Sequence, residues 1–470
     1  MIRTCKVLSL AVLILLAFGS LPLHAEGVPL RITPDDAVDM AINNNLLLQQ
    51  AAIGLDITRR RSDYYWNQFL PSVALTGTLA RSNWQTVQPG MGLPGDLFYP
   101  GSPPVVISPQ ITVPQWNMLG NVNVSLDLSF ALVEGIRSLQ LAYQAGVLSL
   151  DRARLQMEQN IRKMYNSILL LEANAELLRD SFTNAQRQAA IAEANFNAGM
   201  APRLTMLQAQ VQVENLRPTI NDLENNLRSL KGTFSLMLGL PFDTELELIP
   251  LSMDDLNIPT DLSQFISLSS AMQKPDIIEL QANINTLQSQ RQAMSIQMYT
   301  PFLRLGWSLS STFLGDPWAD SWFDTDRWRG GGNFNITLGM SLNGFFGFTR
   351  EGQQLADMDA NIQIQNIRLA QMIRETELEI FSKINSLQNI LTTMEIQRSA
   401  VDLAELSYNL TEEAFRAGMQ DNQAVYNANL ARHQAELQLL TQYFNFFNDL
   451  IDLEYSLGLP FGTLSSRSIR

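Results

Sequence analysis

Cysteine and histidine are all but missing from this chain. Its 470 residues hold one cysteine, Cys5, and two histidines, His24 and His433. Cys5 and His24 fall in residues 1–25, which read as a secretory signal. Arg3 and Lys6 lead an apolar run from Val7 to Phe18, and Leu23-His24-Ala25 precedes the expected cut, so the mature chain is expected to begin at Glu26. A lipoprotein signal would put its cysteine at the cut, and Cys5 is not there. The remainder keeps His433 and no cysteine, which excludes thiol nucleophiles, histidine-based triads and zinc centres. His433 stands seven and fourteen residues before Leu440 and Phe447, a spacing that reads as packing.

Positive charge is scarce as well. Lys and Arg number 32 against 46 acids, a formal charge of −14, and losing Arg3 and Lys6 with the signal makes it −16 (−14 − 2). Nucleic acid is therefore not an expected partner. The carboxylates read as solvated charge spread over helix faces, with no pair set apart by its surroundings. No catalytic residue, cofactor or metal site is assigned, and an enzyme is not expected. There is no phosphate-binding loop, and beyond the signal no transmembrane helix.

What the chain does contain, it contains twice. Phe196-Asn197-Ala198-Gly199-Met200 and Leu238-Gly239-Leu240-Pro241-Phe242 reappear as Phe415-Arg416-Ala417-Gly418-Met419 and Leu457-Gly458-Leu459-Pro460-Phe461. Both markers are displaced by 219 positions (415 − 196 and 461 − 242), so no insertion separates them and the chain is a tandem duplication. Repeat one covers residues 26–242, a connector with Pro250 and Pro259 covers 243–262, and repeat two covers 263–461. The tail, 462–470, is short and polar and is expected to be disordered.

Before each tip glycine, apolar residues recur every seven positions. Ile161, Ile168, Ala175, Phe182, Ala189 and Phe196 form one seam, and Ile380, Leu387, Met394, Val401, Tyr408 and Phe415 form its counterpart. A heptad held this long predicts coiled-coil helices. After the tips, Leu430, Leu437, Phe444 and Ile451 predict a returning helix, with Gly199 and Gly418 supplying the left-handed turn between the two. At the start of the chain, Thr33-Pro34-Asp35-Asp36 predicts a helix running to about Phe69, with a related segment from Leu262 to Thr300.

Between these helices the period changes to two. Asn121, Asn123, Ser125, Asp127 and Ser129 alternate with Val122, Val124, Leu126, Leu128 and Phe130, and Asn333, Asn335 and Thr337 alternate with Phe334, Ile336 and Leu338. Residues 71–84 and 302–313, the latter with Arg304, Ser308 and Ser310 opposite Leu305, Trp307 and Leu309, behave alike. Four strands are predicted, at about 71–84, 119–131, 302–313 and 333–345. Each is long enough to cross a bilayer at a tilt. Asn121, Asn123, Asp127, Arg304, Asn333 and Asn335 would face a wet lumen. All seven tryptophans lie in or beside these segments, and Trp66, Trp84, Trp116 and Trp307 are assigned to the membrane interface. Four strands cannot close a barrel, since about eight are needed, and open edges cannot face lipid. Two, three or four copies would have to share one wall.

With these features assembled, the sequence resembles the TolC-type outer-membrane efflux proteins, the outer membrane factor family, over the whole mature chain. The family pattern of an aromatic, a glycine three later and then an aspartate-valine-leucine run with alanines appears as Phe196, Gly199, Leu207 and Ala209, and again as Phe415, Gly418, Val425 and Ala428. The resemblance implies an α+β membrane protein located in the cell outer membrane. Three chains would share a β-barrel continuous with a periplasmic α-barrel, which docks a periplasmic adaptor and an inner-membrane transporter to expel drugs, metals or proteins. It implies adaptor contacts at Gly199, Met200, Gly418 and Met419, although both methionines also suit packing within the tips. Where the family carries a gating aspartate this chain has Thr205 and Ala424, and Asn427 stands where some members have a second acid. Asp421 is the nearest carboxylate, suited equally to a pore charge or a helix cap. A second reading of the chain is a secreted or periplasmic coiled-coil scaffold without channel activity.

Overall fold

The computed structural model describes residues 30–83, 87–88, 92–93, 105–106, 111–112, 115–250, 271–313, 318, 321, 323–417 and 419–466. The expected signal, Trp84, residues 251–262 of the connector and Gly418 lie outside the described residues. In chain order the elements are β1 (Leu30–Ile32), α1 (Pro34–Asn44), α2 (Leu46–Asp63), β2 (Ser72–Arg81), β3 (Trp116–Ser129), α3 (Ala131–Asn197), α4 (Arg203–Met237), β4 (Leu246–Leu248), α5 (Pro275–Tyr299), β5 (Phe302–Phe313), β6 (Trp328–Gly339), α6 (Arg350–Arg416), α7 (Asn422–Leu457) and α8 (Thr463–Ser466). They divide into a mainly helical unit (1–55, 147–280 and 369–470), which includes β1 and β4, and a unit that holds β2, β3, β5 and β6 (56–146 and 281–368).

The helical unit shows the duplication directly. Helices α3 and α6 are each 67 residues long, about 100 Å, and their ends are displaced by the same 219 positions as the markers (350 − 131 and 416 − 197). Their cores match as well. Ile161, Ile168, Phe234 and Leu238 of one buried cluster correspond to Ile380, Leu387, Leu453 and Leu457 of the other. Along α3 the buried set changes from Ile161, Ile168 and Ala175 to Leu178, Ala185 and Ala192, while Phe182, Ala189 and Phe196 become half-buried. Each heptad turns the stripe by about 20° and the step of three from Ala175 to Leu178 turns it about 60° further the same way, so the buried stripe moves round the helix from one seam to the next.

Glycine ends both returning helices. Gly239 (φ +75°) and Gly458 (φ +66°) are left-handed, and Leu240 N and Leu459 N reach back to Ser235 O and Glu454 O, both at 2.9 Å. Each glycine also lets a second chain segment approach: a Cβ at 239 would collide with Asn44, and one at 458 with the Gln273 carbonyl. We expect Gly458→Ala to cost about 1–3 kcal/mol, measured as a lowered denaturant midpoint with an unchanged m-value.

Three expectations need correction here. The first helix does not run unbroken to Phe69, because Asn45 is extended (ψ +125°) and separates α1 from α2, with a 3₁₀ turn at Tyr65–Phe69 beyond. Asn45 is buried, donating its amide to Met237 O (3.0 Å) and accepting from Leu47 N (2.9 Å), so it caps α2 while fastening α1 to α4. Nor is the start of the tail disordered. Leu464 is buried at 1% exposure, and Gly462 N and Leu464 N donate to the Glu454 carboxylate at 2.9 and 2.7 Å. Burial pushes the Glu454 carboxyl above its ordinary value. The third concerns solvated carboxylates, because Asp449 and Asp452 are drawn into a cluster described below.

The strand unit is a four-stranded antiparallel sheet, β6-β5-β3-β2. Strand β6 begins at Trp328 rather than near 333 and ends at Gly339, and 343–345 form a 3₁₀ turn instead of its end. Its Gly330-Gly331-Gly332 hid the start, because glycine signals no strand. Here the ladder demands it at Gly330, where a Cβ would strike the Ser310 carbonyl. Strand β3 likewise starts at Trp116, three residues early, and β2 spans 72–81. The outer edges of β2 and β6 have no strand partner among the described residues.

Candidate channel wall and hairpin tips

The register sorts the sheet into two chemically distinct faces. Rows such as Val73–Val124–Trp307–Phe334 and Leu75–Val122–Leu309–Gly332 run across all four strands on one face. The alternate rows, Ala74–Asn123–Ser308–Asn333 and Ser72–Ser125–Gly306–Asn335, occupy the other. The apolar face is not covered: Leu75 is 79% exposed, Ile336 63% and Phe334 62%. A sheet folded for water would hide that face in a core. The predicted lumen residues Asn121, Asn123, Asp127, Arg304, Asn333 and Asn335 share the polar face. There Gly306 leaves the space that the Asn335 amide fills. Asp127 and Arg304 are partners across β3 and β5, Nε to Oδ1 at 2.5 Å, which strand patterns cannot reveal. Both side chains are more than half exposed, so the pair adds little stability but leaves this stretch of wall electrically neutral.

Aromatic groups flank the strands at both ends. At the loop end Trp116 meets Trp318 edge-on (6.0 Å), the Arg81 guanidinium lies over Trp116 (5.6 Å), and Phe313 packs on Trp328 (5.4 Å). At the helix end Trp66 and Phe69 are exposed, Tyr299 packs on Phe345 (5.3 Å), and Phe346 on Phe348 (5.6 Å). Trp116 begins β3, and Trp66 lies in the 3₁₀ turn that precedes β2. Trp307 stands at no strand end; it lies at the centre of β5 on the apolar face. The phenylalanine and tyrosine belt was missed because attention to tryptophan alone overlooks it, although Phe345, Phe346 and Phe348 stand close together in the sequence.

The hairpin tips are in the helical unit. Gly199 is left-handed (φ +72°), and Met200 N donates to Asn195 O at 2.8 Å; Met419 N makes the matching bond to Ala414 O at the same distance. Met200 and Met419 are 75% and 74% exposed, so neither packs within its tip. Asp421 caps α7, its Oδ1 accepting from Ala424 N at 2.8 Å, so the capping alternative is realised. Thr205 and Ala424 are half-buried, and Asn427 is exposed. Neutral amides join α4 to α7 here: Asn422 donates to Gln212 (3.3 Å), Gln212 to Gln423 (2.9 Å) and Gln423 to Asn427 (3.0 Å). Gln212, Asn422 and Gln423 escaped the sequence reading, which looked for acids.

Farther along the helical unit, charge is concentrated rather than dispersed. Lys163 of α3 binds Asp452 (2.6 Å), Lys383 of α6 binds Asp449 (2.6 Å) and Asp452 (2.8 Å), and Ser386 donates to Asp449 (2.6 Å). Burial raises the Asp452 carboxyl, but Lys163 and Lys383 outweigh it and hold the pKa below the ordinary value. Burial likewise lowers Lys383, and Asp449 and Asp452 more than reverse it. His433 is half-buried, and burial then Arg432 push its pKa down, in keeping with packing. Among the described residues no group of His, Cys, Asp or Glu could hold a metal ion, and no helix is long and apolar enough to cross a membrane.

Residues 37–239 match the family model described as outer membrane efflux protein. The chain is 22% identical over 326 residues to the pyoverdine export outer membrane protein OpmQ of Pseudomonas putida, covering 68% of this chain and 65%, just under two thirds, of that protein. Among solved structures it resembles CusC (17% identity, TM-score 0.69, covering 94% of this chain and 96% of that one). It also resembles the CmeC outer membrane channel of Campylobacter jejuni (15% identity, TM-score 0.72, covering 90% and 85%). The duplicated hairpins, the sheet with one apolar and one polar face, and the fold shared along nearly the whole chain agree with the match of residues 37–239 to the outer membrane efflux protein family.

Proposed function

We propose that this protein is a passive exit duct, a homotrimer whose chains share one barrel wall in the outer membrane. The observation that carries the reading is the sheet itself, four strands with an uncovered apolar face and two unpaired edges. Unpaired backbone at an edge costs several kcal/mol per group in lipid, so β2 of one chain pairs with β6 of the next until the wall closes. Three copies give twelve strands, the number the family resemblance implies. Helix α6 exposes Ile396, Leu403 and Leu410 at heptad spacing, and α4 exposes Leu204, Leu207 and Val211, apolar stripes suited to neighbouring copies. The sequence holds no phosphate-binding loop and, among the described residues, no helix is long and apolar enough to cross a membrane, so the motive force and the choice of cargo are assigned to a periplasmic adaptor and an inner-membrane transporter.

The adaptor docks at the tips, where Gly199, Met200 and Met419 are presented and Gly418 holds the matching sequence position. With Thr205, Ala424 and Asn427 in place of acids and one oxygen of Asp421 engaged as a cap, the entrance selects weakly for cations. Gly199→Val forces a β-branched residue into a left-handed turn, at a cost of about 1–3 kcal/mol confined to the tip. Transport in a strain dependent on this duct is expected to fall while membrane insertion stays intact. The assignment as a whole is tested by extraction. A duct partitions with outer membranes and needs detergent for release, whereas release by osmotic shock would make the protein a coiled-coil scaffold.

A further inference from the structure

We infer that the helix-side rim of the sheet binds anionic glycerophospholipid headgroups of the periplasmic leaflet, through Arg59, Arg60 and Arg61 beside an aromatic belt. The inference rests on the strands crossing the outer membrane. In a chain of formal charge −14, three consecutive arginines stand in the last turns of α2, just before the 3₁₀ turn that leads into β2. All three are exposed. Arg59 has one partner, Asp63 at 3.6 Å, whereas Arg60 and Arg61 have no carboxylate partner among the described residues. Successive helical residues step by 100°, so the three guanidiniums span most of the α2 circumference away from buried Ser62. The side of α2 that meets the bilayer therefore carries a cation.

The surroundings select a lipid headgroup over a free anion. Tyr64, Trp66, Phe69 and Leu70 follow within nine residues of Arg61 and are all exposed, 44% to 56%. Their apolar bodies and, for Tyr and Trp, polar tips suit the boundary between acyl chains and headgroups. The chain then passes into β2, whose Val73 and Leu75 lie on the uncovered apolar face. Guanidinium, aromatic ring and apolar strand thus follow in the order in which phosphate, glycerol region and acyl chain follow in a leaflet. The duplication supplies a contrast. With Pro71 aligned to Pro301, Arg59–Arg61 correspond to Ser289, Gln290 and Arg291; Ser289 is buried and Arg291 is paired with Asp359 at 2.8 Å, so the second repeat lacks the collar.

The test is native mass spectrometry of the detergent-solubilised full-length oligomer, titrated with phosphatidylglycerol, phosphatidylcholine, lipid A or inorganic phosphate. Phosphatidylglycerol is expected to bind more tightly than phosphatidylcholine and to weaken in high salt. The double variant Arg60→Gln/Arg61→Gln is expected to bind it about fivefold more weakly for each arginine removed, with the assembled mass unchanged. The wild-type headgroup preference and salt response decide the matter even if the variant fails to assemble. Equal affinity for both phospholipids, undiminished binding by the variant, displacement by inorganic phosphate alone, or preference for lipid A would each overturn the inference. A chain that never enters membranes would instead fail the duct reading, which the extraction experiment detects independently.

Discussion

Val124→Arg is expected to abolish assembly in the outer membrane, whereas Asn123→Arg, one residue away, is expected to be tolerated. Val124 pairs with Val73 and Trp307 in the middle of the apolar face, and Asn123 with Ala74 and Ser308 on the polar one. Arginine on the lipid side near the bilayer midplane costs about 2–4 kcal/mol per chain. In the proposed three-chain wall the penalty is borne once per chain, which sums to a large fraction of the stability of an ordinary domain. On the polar face the same side chain reaches water and acts only on ions in the lumen. Membrane fractionation followed by single-channel recording separates the outcomes. Equal loss of both variants would mean that the faces are not a lipid side and a lumen side.

The second large effect is expected in the helical unit. Asp452→Ala removes the carboxylate held between Lys163 and Lys383 and leaves the two ammonium groups partly buried, among the described residues Lys163 with no other ion-pair partner and Lys383 with Asp449 alone. The Asp452 side chain is only 13% exposed, so loss of about 3–5 kcal/mol is expected, read from denaturant unfolding. The pH dependence follows from the directions of the two shifts. Asp452 is held below its ordinary 3.8, so its contribution is present above that value and is lost as the pH falls through the lowered one. Lys383 is raised above its ordinary 10.5, so its contribution is present below that value and is lost as the pH climbs past the raised one. The contribution of this cluster is expected to be level between these limits in the wild type. The variant is expected to lose most of the acid-side dependence from this cluster.

These residues also mark where a single sequence stops being legible. Periodicity disclosed the helices and strands because burial repeats along them, and the 219-residue displacement carried over to helices of identical length. The polar and apolar sets of the sheet followed from alternation for the same reason. What alternation and heptads omit is pairing. Lys163 and Asp452 are 289 positions apart, and nothing in either helix announces the other. Asn45 looked like an ordinary helical residue because its reason for breaking the helix, the Met237 carbonyl, lies 192 positions away. The tail seemed free because Leu464 is an isolated apolar residue between polar neighbours, and only the buried carboxylate of Glu454 explains its docking. At the tips, the search for acids passed over Asn422 and Gln212, whose neutral amides make the contact between the hairpins.

The claim beneath all of this is that β2 of one chain pairs with β6 of another. The expected mature chain lacks cysteine, so introduced pairs report without interference. A scan placing one cysteine along 72–81 and one along 328–339, oxidised in intact outer membranes, measures the pairing directly. Some register is expected to give covalent species of two and three chains and none larger. Cross-linking confined to single chains, or a ladder ending at two or extending to four, would contradict it.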